Sequence, residues 1–164
     1  MTDFRGLLRA LSDAGVESIL VGGVAATAHG SSRLTLDLDL VYRRSPDNIE
    51  RLVAALAPLH PYLRGAPPGL PFRWDARTIR QGLNFTLNTD LGDLDLLGEI
   101  VGGGGFDHLA ARTMVIRVFG MECRCLDLDT LIHVKRAAGR PKDLEAIAEL
   151  EAIREERGGS GEAG

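Results

Sequence analysis

Cysteine is scarce in this sequence: 164 residues contain two, Cys123 and Cys125, written "CRC". That spacing is neither a CxxC redox pair nor a zinc ligand set, because no second Cys or His pair completes it. A disulfide framework is excluded. Two reduced, partly buried thiols sharing one strand face are expected instead. Positive charge is not in excess either. Nineteen Lys and Arg against 23 Asp and Glu leave a formal net charge of -4. This argues against a general nucleic-acid coat, though a local basic patch remains compatible with it. No apolar run reaches membrane-spanning length. Asp3, Arg5, Arg9, Asp13 and Glu17 exclude a signal peptide in the first twenty residues. A cytoplasmic protein with no membrane association is expected.

What the sequence does have is enough apolar material for one core. Hydrophobic residues make up 45% of it, sufficient without a disulfide or structural metal. The spacing predicts a single domain over residues 1–157 and a disordered tail over 158–164, "GGSGEAG". "TDFRGLLRALSDAG" reads as a helix, capped by Thr2 or Asp3 and ended by Gly15. "VESILV" reads as a buried strand, broken by Gly22-Gly23 before a short helix. "LTLDLDLVY" alternates. Leu34, Leu36, Leu38 and Leu40 fall on one face, and Thr35, Asp37, Asp39 and Val41 on the other.

Ser45-Pro46 opens the next helix. Five prolines and two glycines from Pro58 to Pro71 mark a long loop, a frequent place for function. "GLNFTLNTDLGDLDLLGEI" reads as a hairpin, with a flexible "GGGG" after it and two short strands around Gly120. Two closing helices are split by Gly139-Arg140-Pro141. Strands and helices mix without βαβ alternation, so the class is α+β or a mixed-sheet α/β.

Four carboxylates stand out. Residues i and i+2 of a strand point the same way, about 6–7 Å apart, so Asp37 and Asp39 share a face, as do Asp93 and Asp95. Taken alone, "DLDL" describes an edge strand with one solvated face. Gly22-Gly23 changes the weighting. It lies about fourteen residues before Asp37, where glycine lets backbone N–H groups approach a phosphate closely. Two acidic strands beside a glycine turn suit a metal–nucleotide complex, because Mg²⁺ takes carboxylates, waters and phosphate oxygens.

These segments, with "LIHVKRAAGRPKDLEAIAEL", resemble the DNA polymerase β-type nucleotidyltransferase superfamily, and within it the small bacterial AbiEii-like, toxin-type group. The resemblance spans roughly residues 16 to 150. It implies a polymerase β-like α+β fold and transfer of a nucleoside monophosphate from an NTP. The implied acceptor is a tRNA end, a protein side chain or a small molecule. Gly22 and Gly23 would shape the loop under the phosphates, and Asp37, Asp39 and Asp95 would bind Mg²⁺. Lys135, with Arg140, Lys142 and Asp143 beside it, would contact the triphosphate. Arg33 is a further phosphate candidate. Asp95 is preferred to Asp93 because the family's hairpin tends to place the acid just before the apolar "LL". Many members carry Gly-Ser where this chain has Gly22-Gly23, so a hydroxyl is missing, and Ser31 or Ser32 would be its substitute. That departure and the small size leave open a catalytically inactive nucleotide- or partner-binding protein, or a toxin–antitoxin component with a cognate partner. His29, at a helix end, reads as a capping or partly buried residue. Phe72 and Trp74 read as core packing rather than base stacking.

Overall fold

The computed structural model describes residues 1–162, with side chains to residue 158. Helix α1 (Phe4–Asp13) starts where Asp3 accepts a hydrogen bond from the Gly6 N–H. Its Leu7, Leu8 and Leu11 are buried, the i, i+1, i+4 stripe expected of an amphipathic helix. Strand β1 (Ser18–Val21) runs directly into α2 (Gly22–Ala28). Strand β2 spans Leu38–Tyr42. Helix α3 (Pro46–Leu56) is capped by the Ser45 hydroxyl, with proline in its first turn. Then come β3 (Tyr62–Leu63), α4 (Ala76–Gln81), β4 (Phe85–Thr89) and β5 (Gly92–Leu97). A small hairpin of β6 (Glu99–Ile100) and β7 (Gly104–Gly105) leads through α5 (Phe106–Leu109) to β8 (Thr113–Val118) and β9 (Met121–Leu126). Helices α6 (Leu128–Ala138) and α7 (Pro141–Glu162) close the chain.

Seven strands form one mixed sheet in the order β3-β4-β5-β2-β1-β9-β8. The two central pairings on either side of the β1–β2 pair, β2 with β5 and β1 with β9, are parallel. The others in this sheet are antiparallel. Helices cover both faces. Leu20 and Leu40 line a cavity with Leu8 and Leu11 of α1. Val21, Asp39 and Leu97, one residue out of phase, line another with Leu131 and Val134 of α6. The leucines of "LDL" in β2 and β5, Leu38, Leu40, Leu94 and Leu96, are at most 1% exposed. Each such burial is worth about 1.5–3 kcal/mol. They therefore fix which face the alternating aspartates take.

The expected strand over "LTLDLDLVY" is shorter than the alternation suggests. Leu34 and Leu36 are exposed, at 82% and 59%, and Asp37 precedes the strand. The cause is the partner: β1 pairs from Ser18–Tyr42 to Val21–Asp39 and then turns into helix at Gly22. Leu38 still pairs with Leu94 of β5, but beyond it the Thr2 hydroxyl accepts from the Asp93 N–H and donates to the Leu36 carbonyl in place of a ladder bond. The proline-rich loop also holds structure that its composition hides, a 3₁₀ turn at Ala57–Leu59 and strand β3. Helix α7 runs to Glu162, into the stretch expected as tail, and residues 163–164 lie outside the described ones.

Candidate active site

The register of three strands assembles the acidic part of the site. Asp39 of β2 stands directly opposite Asp95 of β5 and opposite Val21, the last residue of β1. Asp37 lies just before β2, and Asp93 is two residues before Asp95 on the same face. Asp39 is strongly perturbed. Burial, then the hydrogen bond and charge of Asp95, then the charge of Asp37, push its carboxyl up to about 7, with Lys142 pulling the other way. Two carboxyls facing each other across paired strands behave as a pair, in which one favours its proton until a cation relieves the charge.

The glycines earn their place by close approach. Gly22 follows Val21, so the β1–β2 register sets it beside Asp39. Its φ is +65°, and a Cβ there would lie 2.1 Å from Asp39 Oδ2. No L side chain fits that position. At Gly23 a Cβ would lie 2.5 Å from Thr35 Oγ1. The space that a serine at 23 would need is thus filled by the Thr35 hydroxyl, which donates to the Asp37 carbonyl at 3.2 Å. Thr35 lines the same groove as Gly22, Gly23 and Asp39. Ser31 and Ser32, the candidate substitutes, are turned to α7 instead, where both hydroxyls donate to Glu149.

Across Asp39 the site turns basic. A groove of about 310 Å³ is lined by Gly22, Gly23, Asp37 and Asp39 on one side and Lys135, Arg140 and Lys142 on the other. An adjoining cavity of about 370 Å³ shares Gly22, Asp39, Lys135 and Arg140, but its remaining wall is mostly apolar, with Leu97, Ile100, Val101, Leu131 and Val134. Lys135 projects from α6 with its side chain 13% exposed, and its Nζ lies 4.0 Å from Asp143. Burial lowers its pKa, while Asp143 and Asp39 pull the other way. Arg140 donates from Nε to Asp143 at 2.6 Å and from Nη2 at 3.2 Å. Burial would raise the Asp143 pKa. The Arg140 hydrogen bond and charge, then Lys135, hold it below the usual carboxylate range. Asp143 is thereby the counter-ion that keeps two cations at one end of the groove.

One functional residue escaped the sequence reading altogether. Arg64, just past β3, sends its guanidinium into the acidic cluster. It lies 2.9 Å from Asp95 Oδ1, 3.5 Å from Asp93 Oδ1 and 3.7 Å from Asp37 Oδ2. Its only sequence signal was membership of the loop. Among the described residues, no group of three or more His, Cys, Asp or Glu side chains is gathered to hold a metal ion. The donor chemistry of Asp37, Asp39 and Asp95 suits a hard divalent cation. Asp95 Oδ1 is buried and has no directed hydrogen bond, only the Arg64 ion pair, and is a ligand atom of that kind. The arrangement, however, is built around a guanidinium.

The remaining candidates have structural partners. Arg33 pairs with Glu145 at 3.1 Å on the surface, although its chain also borders the groove. His29 is buried, with Nε2 2.7 Å from the Leu126 carbonyl and Nδ1 3.0 Å from Arg157 Nη1. Trp74 donates to the Val53 carbonyl at 3.0 Å, and Phe72 packs edge-on against Tyr62. Both belong to the core wall. Burial pushes the Cys125 thiol up to about 12, so it is an inert core residue. No helix among the described residues is long and apolar enough to cross a membrane.

Solved structures with this arrangement of strands and helices include antibiotic-modifying enzymes. The lincosamide antibiotic adenylyltransferase LnuA, with lincomycin bound, superposes with a TM-score of 0.60 at 13% identity, over 93% of this chain and 98% of that one. The chain has the nucleotidyltransferase fold. The antibiotic-resistance factor ANT(2″)-Ia shares it, with a TM-score of 0.51 at 16% identity over 97% of this chain and 91% of that one. Its complex with adenylyl-2″-tobramycin gives 0.50 at 14% identity, over 92% and 91%. No family model matches the chain, nor does any curated protein. The fold is thus the polymerase β-like α+β arrangement expected, and these neighbours do not bear on the AbiEii-like group.

Proposed function

We propose that the protein transfers a nucleoside monophosphate, most simply an adenylyl group, from an NTP to a hydroxyl of a small molecule. One observation carries this reading: Asp39 and Asp95 meet in register beside Gly22, at the junction of an acidic cluster and a basic groove. Nucleotidyl transfer needs that polarity. Triphosphate oxygens want cations, and the acceptor hydroxyl wants a carboxylate in reach of its proton. Lys135, Arg140 and Lys142 would hold the β- and γ-phosphates, with Gly22 and Gly23 letting the backbone come close and Thr35 offering a hydroxyl. The apolar cavity beyond Asp39 would take a nucleobase or an apolar part of the acceptor. Asp95 would orient the acceptor hydroxyl and accept its proton. Asp37, Asp39 and Asp95 are the residues that would hold Mg²⁺, which would supply charge neutralisation on the reacting phosphoryl oxygens.

The two cavities, about 370 and 310 Å³, suit a nucleotide with a small acceptor. The ligands bound in the structural neighbours, lincomycin and adenylyl-2″-tobramycin, make hydroxylated antibiotics the first acceptors to try. A tRNA end or a protein side chain, or a role beside a cognate toxin–antitoxin partner, gains no support from this geometry. A second reading, a nucleotide-binding protein without catalysis, is favoured by Arg64 among the carboxylates.

The test is incubation with α-labelled ATP, Mg²⁺ and a panel of lincosamides and aminoglycosides, followed by mass spectrometry. Transfer is expected for wild type and not for Asp39→Asn. Nucleotide binding without transfer to any hydroxylated acceptor would favour the non-catalytic reading, and no binding would end both.

A further inference from the structure

Arg64 is held by charge more than by directed bonds. Its backbone N–H donates to the Thr86 carbonyl at 2.9 Å, which fixes the main chain beside β4. Its Nη2 donates to the Leu87 carbonyl at 2.8 Å. Toward the aspartates the picture differs. Three carboxylates stand within 2.9–3.7 Å, yet Arg64 Nε and Asp95 Oδ1 are both buried without a hydrogen-bond partner. A well-seated arginine forms two parallel bonds to one carboxylate. Arg64 forms none, and is shared among three acidic groups. It is a cation placed by the field of the cluster, its guanidinium anchored at the Leu87 carbonyl.

A divalent cation would compete for the same oxygens. We propose that Arg64 is a built-in counter-ion for the acidic cluster, which a divalent cation must displace from Asp95 and Asp37, so that Arg64 sets the protein's metal affinity. This rests on the nucleotidyl-transfer reading for the need of a metal, but not for the competition itself. Two cations on one set of carboxylates are thermodynamically linked, so each weakens the other. Without either, the aspartates repel one another at close range. Arg64 therefore lets the site fold before a metal arrives and makes the metal bind more weakly than the carboxylates alone would allow.

The test uses full-length protein and Mn²⁺ or Mg²⁺ with no nucleotide. Mn²⁺ titration followed by electron paramagnetic resonance should show Arg64→Gln binding roughly tenfold tighter than wild type, with Arg64→Lys between them. In EDTA, Arg64→Gln should melt below wild type, and saturating Mg²⁺ should close the gap. Equal Mn²⁺ affinity in folded wild type and Arg64→Gln, or no Mn²⁺ binding by either, would overturn the proposal. If Arg64→Gln fails to fold, the wild type decides: the Arg64 Nε–H resonance should shift as Mg²⁺ saturates, and a resonance that stays put refutes displacement. Transfer activity enters none of these measurements. Displacement without transfer would sink the enzyme reading alone, and transfer without displacement would sink this inference alone.

Discussion

Each half of the site contains one residue of the opposite sign. In the basic half it is Asp143, and in the acidic half it is Arg64. Asp143 is 3% exposed and receives the Arg140 Nε and Nη2 donors, with the Arg140 backbone N–H at 3.3 Å. Its partners lie three residues away at the start of α7 and on the facing end of α6. Arg64 comes from across the sheet, touches carboxylates at looser range and leaves polar atoms unbonded. A counter-ion with directed bonds is a structural fixture. One held by the field of its neighbours is exchangeable. The two halves thus differ less in charge than in how tightly that charge is answered.

The largest expected effect tests the acidic half. Asp95→Asn removes the carboxylate opposite Asp39 and should lower turnover at least about a hundredfold, measured by pyrophosphate release, with the fold intact by circular dichroism. Next comes pH. The Asp39 carboxyl is raised from 3.8 to about 7 by burial and by Asp95. The folded protein therefore holds a proton that the unfolded chain releases near pH 4. This contribution to stability is complete below about pH 4 and is lost as pH rises through 7, on the order of a few kcal/mol. Urea unfolding in EDTA should show that slope, and Asp39→Asn should flatten it.

Asp143→Asn breaks the fixture of the basic half. It leaves Lys135 partly buried without its counter-ion and should cost about 2–3 kcal/mol, less than a fully buried pair because Arg140 is exposed. The same substitution would sharpen the comparison if Arg64→Gln, in saturating Mg²⁺, cost nothing. The smallest effect concerns the glycine turn. Gly23→Ser restores the residue that the resembling family carries, yet it should destabilise by about 1–3 kcal/mol, since Thr35 fills that space. Thermal melts would show it, and Thr35→Ala should relieve most of the cost.

What could be read from sequence was whatever is decided locally. Asp3 and Ser45 cap helices through bonds three residues ahead. The hairpin β4–β5 follows from its own alternation, and the family resemblance pointed to Asp95, which the register sets opposite Asp39. What could not be read was decided by partners far along the chain. Asp37 lies outside its strand because β1 stops at Val21 and Thr2 takes the bonds that further β5 pairing would use. Arg64 has its role because two residues, Tyr62 and Leu63, pair with β4 and carry it to the cluster. Ser31 and Ser32 looked available until Glu149 was found against them. Composition flagged the proline-rich loop, but not which of its residues faces the site.

Helix α7 has one more consequence. Glu145, Glu149, Ile153 and Arg157 recur every fourth residue along a single face, and they meet Arg33, Ser31 with Ser32, Gly30 and His29 in reverse order. The segment that leads into Asp37 is thus laid against the last helix like one side of a zip. A chain emerging from the ribosome would already carry every aspartate of the cluster while that segment still had nothing to close on. The approach to the first carboxylate is set only when the final turns are made, so the end of the chain completes what its beginning starts.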